Sequence, residues 1–386
     1  MNNKRFFKKF LSLILSFVLL FTAAPFLSII TAFAESSNST SGTTGDCTWE
    51  LDGTVLTISG NGKTDDYGSS DGVYVHFAPW GRDITEVIIK KGVTGIGSQA
   101  FYNCSKLLSI EMPDSVTTIG ASAFYSCKIT LLKIAEGSDT ITDKMVVCKK
   151  TLEKVIIPES ITSVGYNAFQ GCNNLKEVHI NDVAKWCNID FYENDSNPLR
   201  YADDFYVKDE LVTNLILPNG VTDIGNFAFT GYKGLTDITL PESVTTIGYT
   251  AFYGCTGLTN ITIPESVTTI GNYAFYGCTG LKNIKLPENI TTIGYSVFSS
   301  CSRLTNISIP KSVTTIRDYA FSNCTGLTEI TFPESVTTIE NYAFTGCTGL
   351  TNITIPERVA TIGKYAFSDC TGLTNITIPK SVTTIG

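Results

Sequence analysis

The chain has 386 residues, 36 acidic against 28 basic side chains, and a formal net charge of −8. An acidic balance of this size argues against nucleic acid or an anionic membrane surface as the partner. Only two histidines, His76 and His179, accompany 12 cysteines, so there are few residues on which acid–base catalysis could be built.

In chain order, Lys4, Arg5, Lys8 and Lys9 precede an apolar run from Phe10 to about Ile30. Ala32-Phe33-Ala34 then offers a small-x-small cleavage site before Glu35. This is the layout of a secretory signal peptide over residues 1–34. A retained anchor is the alternative, because the run is long enough to span a bilayer. Cleavage takes the formal charge from −8 to about −12 and leaves no segment expected to insert in a membrane. Residues 35–46 are rich in Ser, Thr, Gly and Asn and read as a flexible linker. Residues 47–82, from CTWELDGTVLTISGNG to APW ending at Trp80, read as a strand-rich N-terminal cap over the open end of a repeat core.

From residue 83 to 386 a 23-residue unit recurs, typified by LTNITIPESVTTIGNYAFYGCTG at Leu258–Gly280. Its phase is marked at Pro218, Pro241, Pro264, Pro287, Pro310, Pro333, Pro356 and Pro379. A unit this short cannot bury its own apolar face, so neighbours must stack into a solenoid. Leu258, Ile261 and Ile263 alternate with polar Asn260 and Thr262, which predicts a short strand ended by proline. A second extended segment is expected at Thr268–Ile270, followed by a turn at Gly271, where glycine moves freely. Ala274 and Phe275 then fill the core from a helical or tightly turned segment. About 13 coils give a mostly β solenoid of the α/β repeat type, with one parallel sheet about 60 Å long.

The period slips twice. Asp139–Cys148 loses the Ala-Phe pair and one residue, and the 60-residue interval from Pro158 to Pro218 carries about 14 extra residues. The surplus falls in AKWCNIDFYENDSNPLRYADDFYVKDELV, a variant coil within 182–214. The chain stops at SVTTIG, in mid-coil. This suggests a fragment, or an open last coil through which copies self-associate.

Cys255, Cys278, Cys301, Cys324, Cys347 and Cys370 recur every 23 residues, as do Cys104 and Cys127. Stacked coils bring them one strand spacing apart, within reach of a disulfide. Tyr232 takes the same place in one unit, however, and a uniform ladder offers no pairing preference. Small, apolar, buried thiols are therefore expected. No metal site and no cofactor is expected. His179 lies eight residues before Cys187, but the pair reads as a surface-strand histidine and a packed cysteine, and His76 reads as a cap-strand residue. The acidic stretches Asp65, Asp66, Asp71 and Asp190, Glu193, Asp195, Asp203, Asp204 lack the ligand order of a calcium loop and read as solvated carboxylates.

The candidate binding surface is therefore a set of outward columns. One holds Thr239, Thr262, Lys285, Ser308, Thr331, Thr354 and Thr377; beside it run Asp237, Asn260, Asn283, Asn306, Glu329, Asn352 and Asn375. Tyr273, Tyr319, Tyr342 and Tyr365 form another, and Trp186 and Tyr192 mark the variant coil. Tyrosine supplies contact area with a polar tip, suited to a protein or a glycan. Simple duplication of solvent-tolerant residues accounts for the columns slightly better than selection for binding.

The unit IPxSVTTIGxxAFxGCxxL, with the GDCTWELDGTVLTISGNG cap and the AKWCNIDFYENDSNPLRYA coil, closely resembles the BspA-like subfamily of bacterial leucine-rich repeats over about Gly45–Gly386. The resemblance implies an exported or surface-displayed protein that binds without catalysis, often in adhesion. Two other readings stay open: an accessory module of a larger secreted enzyme, and a structural spacer of the cell surface.

Overall fold

A computed structural model describes residues 40–68 and 77–386. The predicted leader, the linker up to residue 39, and His76 and Asp71 lie outside the described residues. The chain is a mostly β parallel solenoid of about 13 turns, with almost no helix. Alternation in Asn260-Ile261-Thr262 yields a three-residue strand with only Ile261 inward. It pairs in parallel with Asp237–Thr239 on one side and Asn283–Lys285 on the other, so that Ile238, Ile261 and Ile284 align at the 23-residue register. Thr269–Ile270 forms the second strand and pairs with Thr246–Ile247. The following stretch is a run of turns.

Those turns carry a third backbone ladder. Phe252 N donates to Ala274 O at 2.8 Å and Gly254 N to Tyr276 O at 2.7 Å, with the same pattern in neighbouring coils. Inside it the phenylalanines stack: Phe229, Phe252, Phe275, Phe298, Phe321, Phe344 and Phe367 follow one another at 5.2–5.6 Å between ring centroids. Gly271 is needed for a reason other than free turning. Its φ is not left-handed, but a Cβ there would meet Tyr249 N of the preceding coil at 2.5 Å. Gly277 is the residue whose φ of 69° suits glycine.

All 12 cysteines are free, and all but Cys148 are buried. Each thiol of the regular ladder also donates to a carbonyl: Cys278 Sγ to Phe252 O, Cys301 Sγ to Phe275 O and Cys347 Sγ to Phe321 O, each at 3.1 Å. Burial pushes these thiols well above their ordinary ionisation range.

At the N-terminal end the cap begins earlier than expected. Ser41–Thr44 is a strand paired antiparallel with Cys47–Asp52, so these residues of the predicted 35–46 linker belong to the cap. Val55–Gly60 joins the cap to the solenoid by parallel pairing with Glu86–Ile89. Trp80 seals the junction, its ring 6.1 Å from Trp49 and 5.6 Å from Phe101.

The expected single sheet is divided in two. The first sheet has 10 strands, three of them from the cap, and ends in the antiparallel hairpin of Asp204–Val207 and Glu210–Leu211. The second has eight strands and starts at Asn214–Ile216. The core runs through the division without interruption.

Candidate binding surface

Two outward faces result. On the second sheet, residues flanking each inward isoleucine point to solvent: Asn260 and Thr262, Asn283 and Lys285, Asn306 and Ser308, Glu329 and Thr331, Asn352 and Thr354 are all exposed. They are little engaged with one another. Asn260 Nδ2 reaches Asp237 Oδ1 at 3.3 Å and Thr259 Oγ1 at 3.1 Å, and Asn352 Nδ2 reaches Thr351 Oγ1 at 3.4 Å. On the first sheet the corresponding places hold charged, aliphatic and aromatic groups that pair across strands. Lys133 Nζ is 3.0 Å from Glu86 Oε1, and Lys154 Nζ is 3.0 Å from Glu177 Oε2.

His179 sits on this first face, but not as the surface residue expected. It is only 9% exposed, because Tyr206 of the neighbouring strand stacks on its ring at 4.3 Å. Nε2 lies 2.9 Å from Glu177 Oε2 and Nδ1 3.3 Å from Asp209 Oδ1. These contacts, the imidazole first and then the Lys154 ammonium, hold the Glu177 carboxyl below its usual range. Cys187 does not share in them. It lies in the core with its thiol pushed up to about 12 by burial, which removes the thiolate a nucleophile needs near neutral pH.

The tyrosine column is longer than its sequence spacing indicates. Tyr249 and Tyr295, displaced by one residue in the repeat, interleave with Tyr273, Tyr319, Tyr342 and Tyr365, giving ring separations of 5.8, 5.1, 5.6, 4.8 and 5.2 Å. Tyr273, Tyr319, Tyr342 and Tyr365 all have φ of 56–58°, a left-handed conformation that tyrosine seldom adopts. Tyr319 and Tyr342 lie face to face, 2° from parallel, so their faces are spent on each other. Only Tyr249 and Tyr365 of the column are well exposed. The asparagines one residue earlier are also occupied: Asn272 Oδ1 accepts from Tyr295 N at 3.0 Å and Asn341 Oδ1 from Lys364 N at 2.9 Å.

In the variant coil, Trp186 is a correction. It lies on the five-residue helix Val183–Cys187, capped by Asp182, and is 1% exposed rather than at the surface. Its Nε1 donates to Ala228 O at 2.8 Å. Asn197, fully buried, donates through Nδ2 to Phe227 O at 2.7 Å and Ala228 O at 3.0 Å. Sequence reading missed this residue; the only signal was an asparagine before Pro198 inside the surplus segment. Tyr232, in the cysteine position, donates its hydroxyl to Val212 O. Tyr192 is 69% exposed and meets Tyr166 edge to face at 5.4 Å. The acidic residues are not simply solvated. Glu193 Oε1 accepts from Asn167 N, and Asp195 Oδ1 is 2.8 Å from Arg200 Nε and accepts from Tyr201 OH. Among the described residues no group of three or more His, Cys, Asp or Glu side chains is placed to hold a metal ion.

A family model for the BspA type leucine-rich repeat region matches this chain in six copies over residues 77–197, 202–328 and 293–386. Two solved structures are similar over almost the whole solenoid. A leucine-rich repeat protein from Eubacterium ventriosum ATCC 27560 is 25% identical, with a TM-score of 0.54 over 89% of this chain and 98% of that one. A leucine-rich repeat protein from Bacteroides ovatus ATCC 8483 is 26% identical, with a TM-score of 0.50 over 88% and 89%. No curated relative matches the chain.

Proposed function

The chain belongs to the BspA-type leucine-rich repeat family, and from that premise we propose that it is an exported, non-catalytic binding protein presenting an extended surface to a protein or glycan at the bacterial cell surface. The observation that carries this reading is the outward face of the second sheet. Its Asn and Thr columns stay exposed through successive strands while the core beneath them is sealed. The seven strands from Asp237–Thr239 to Asn375–Thr377, at about 4.8 Å spacing, make a polar face about 29 Å long, a length suited to an elongated partner. Export is supported by the basic, apolar and small-x-small order of residues 1–34. The acidic balance of the mature chain favours partners that are not themselves acidic.

The test is binding of the mature chain, residues 35–386, to arrayed extracellular matrix proteins and glycans. Thr262→Arg with Thr354→Arg should abolish capture while leaving the melting temperature unchanged, since both side chains are exposed. Binding on neither array, together with hydrolytic turnover by the mature chain, would overturn the reading. N-terminal sequencing of the secreted product should begin at Glu35.

A further inference from the structure

At the division between the sheets, the hairpin turns through Lys208 and Asp209, both left-handed at φ 53° and 61°. Its second strand, Glu210–Leu211, pairs only with its first. The next strand, Asn214–Ile216, pairs only with Asp237–Thr239. The other strands in this position of the repeat, from Glu86–Ile89 to Asn352–Thr354, each have a neighbour on both sides. A cleft of about 520 Å³ opens here, lined by Leu211 and Ile216 together with Glu159, Asp182, Glu210 and Lys208.

Three features of the cleft point to one kind of occupant. A free strand edge offers a row of backbone donors and acceptors to another extended chain. Ile216 is 72% exposed and Leu211 48%, whereas the place of Ile216 is polar in every later coil: Thr239, Thr262, Lys285, Ser308, Thr331, Thr354 and Thr377. An aliphatic side chain thus appears on this face of the second sheet only where the edge is open. The charge is also one-sided, with the carboxylates of Glu159, Asp182 and Glu210 against the single ammonium of Lys208.

We propose that this cleft docks an extended peptide segment of a partner protein. The segment adds as a strand to the free edge of Asn214–Ile216, sets an aliphatic side chain against Leu211 and Ile216, and carries lysine or arginine beside it. This rests on the binding-protein reading above and narrows the partner to a polypeptide.

The experiment titrates the mature chain into fluorescein-labelled Lys-Val-Thr-Val-Thr-Lys and follows anisotropy. Parallel peptides replace lysine by glutamate, or carry N-methyl groups that remove the strand's amide donors. The lysine peptide should bind saturably and protect the 214–216 amides from hydrogen exchange. Both altered peptides should bind at least about tenfold more weakly. Ile216→Thr, which copies the later coils and should keep the wild-type melting temperature, should weaken the lysine peptide about tenfold. Equal binding by wild type and Ile216→Thr, equal binding of the N-methylated peptide, or no binding of any peptide overturns the proposal. The two readings fail separately: if Ile216→Thr still captures an arrayed partner that wild type captures, only the cleft is wrong, whereas a wild-type chain that captures nothing on either array counts against the broader reading.

Discussion

A regular coil and the variant coil solve one problem with different chemistry. At Phe275 the repeat closes with its own backbone. Phe275 N donates to Val297 O, Phe275 O takes the thiol of Cys301, and the ring lies between Phe252 and Phe298. At Phe227 and Ala228 the preceding coil has lost that register, and the carbonyls are met by the side chains of Asn197 and Trp186. Where the backbone repeats, hydrogen bonding is independent of residue type and the outer columns are free to vary. Where the period breaks, single side chains become hard to replace.

This contrast can be broken or sharpened by substitution. The largest effect is expected for Trp186→Ala, which loses a buried ring and an indole donor together and should cost about 5 kcal/mol or more in chemical denaturation. Phe275→Ala, which loses only packing, should cost about 3–5 kcal/mol. If the order is reversed, the variant coil is not held as described. Asn197→Ala should follow at about 3 kcal/mol, because it strips partners from buried carbonyls. Asn272→Ala, at an exposed site, should cost about 1 kcal/mol, and equal losses at the two sites would erase the distinction.

The thiol ladder supplies a pH test. Folding raises the thiol ionisation of Cys187 to about 12, and that of Cys278, Cys301 and Cys324 well above the usual value. A raised folded value means that stability is complete below about pH 8.5, where the unfolded thiol stays protonated, and is lost as pH climbs toward the folded value. The free energy of unfolding should therefore be level at neutral pH and fall above about pH 9, by about 1.4 kcal/mol per pH unit for each fully buried thiol. Titration of the unreduced, denatured chain should find most of the ladder as free thiol. The smallest effects belong to the outer columns. Tyr342→Asn exchanges ring stacking for a residue at ease in the left-handed region and should change stability by less than about 1 kcal/mol. Asn260→Ala should stay within about 0.5 kcal/mol.

Much of the fold was legible in the sequence because one unit repeats. Period-two alternation located the Asn260–Thr262 strand, and the fixed phase placed Cys301 and Phe298 in the core. The site was less legible. Trp186 was expected at the surface because its coil is irregular, yet its ring is buried against Phe191 and Phe205, each 5.2 Å away. His179 was placed outward correctly by strand parity, but its cover, Tyr206, comes from a strand that the 23-residue phase does not contain. Asn197 gave no pattern at all, since its role depends on carbonyls 30 residues away.

The sequence by itself determined the solenoid, its register and the identity of the buried columns, because stacking at a constant period leaves each inward residue only its own copy as neighbour. Tertiary structure alone decided where that stacking stops. The surplus within 182–214 returns as a helix and a hairpin whose last strand folds back antiparallel to close the first sheet, leaving Asn214–Ile216 with one free edge. Hydrogen bonding between strands is settled by how neighbouring coils meet in space, and no local pattern of side chains records it.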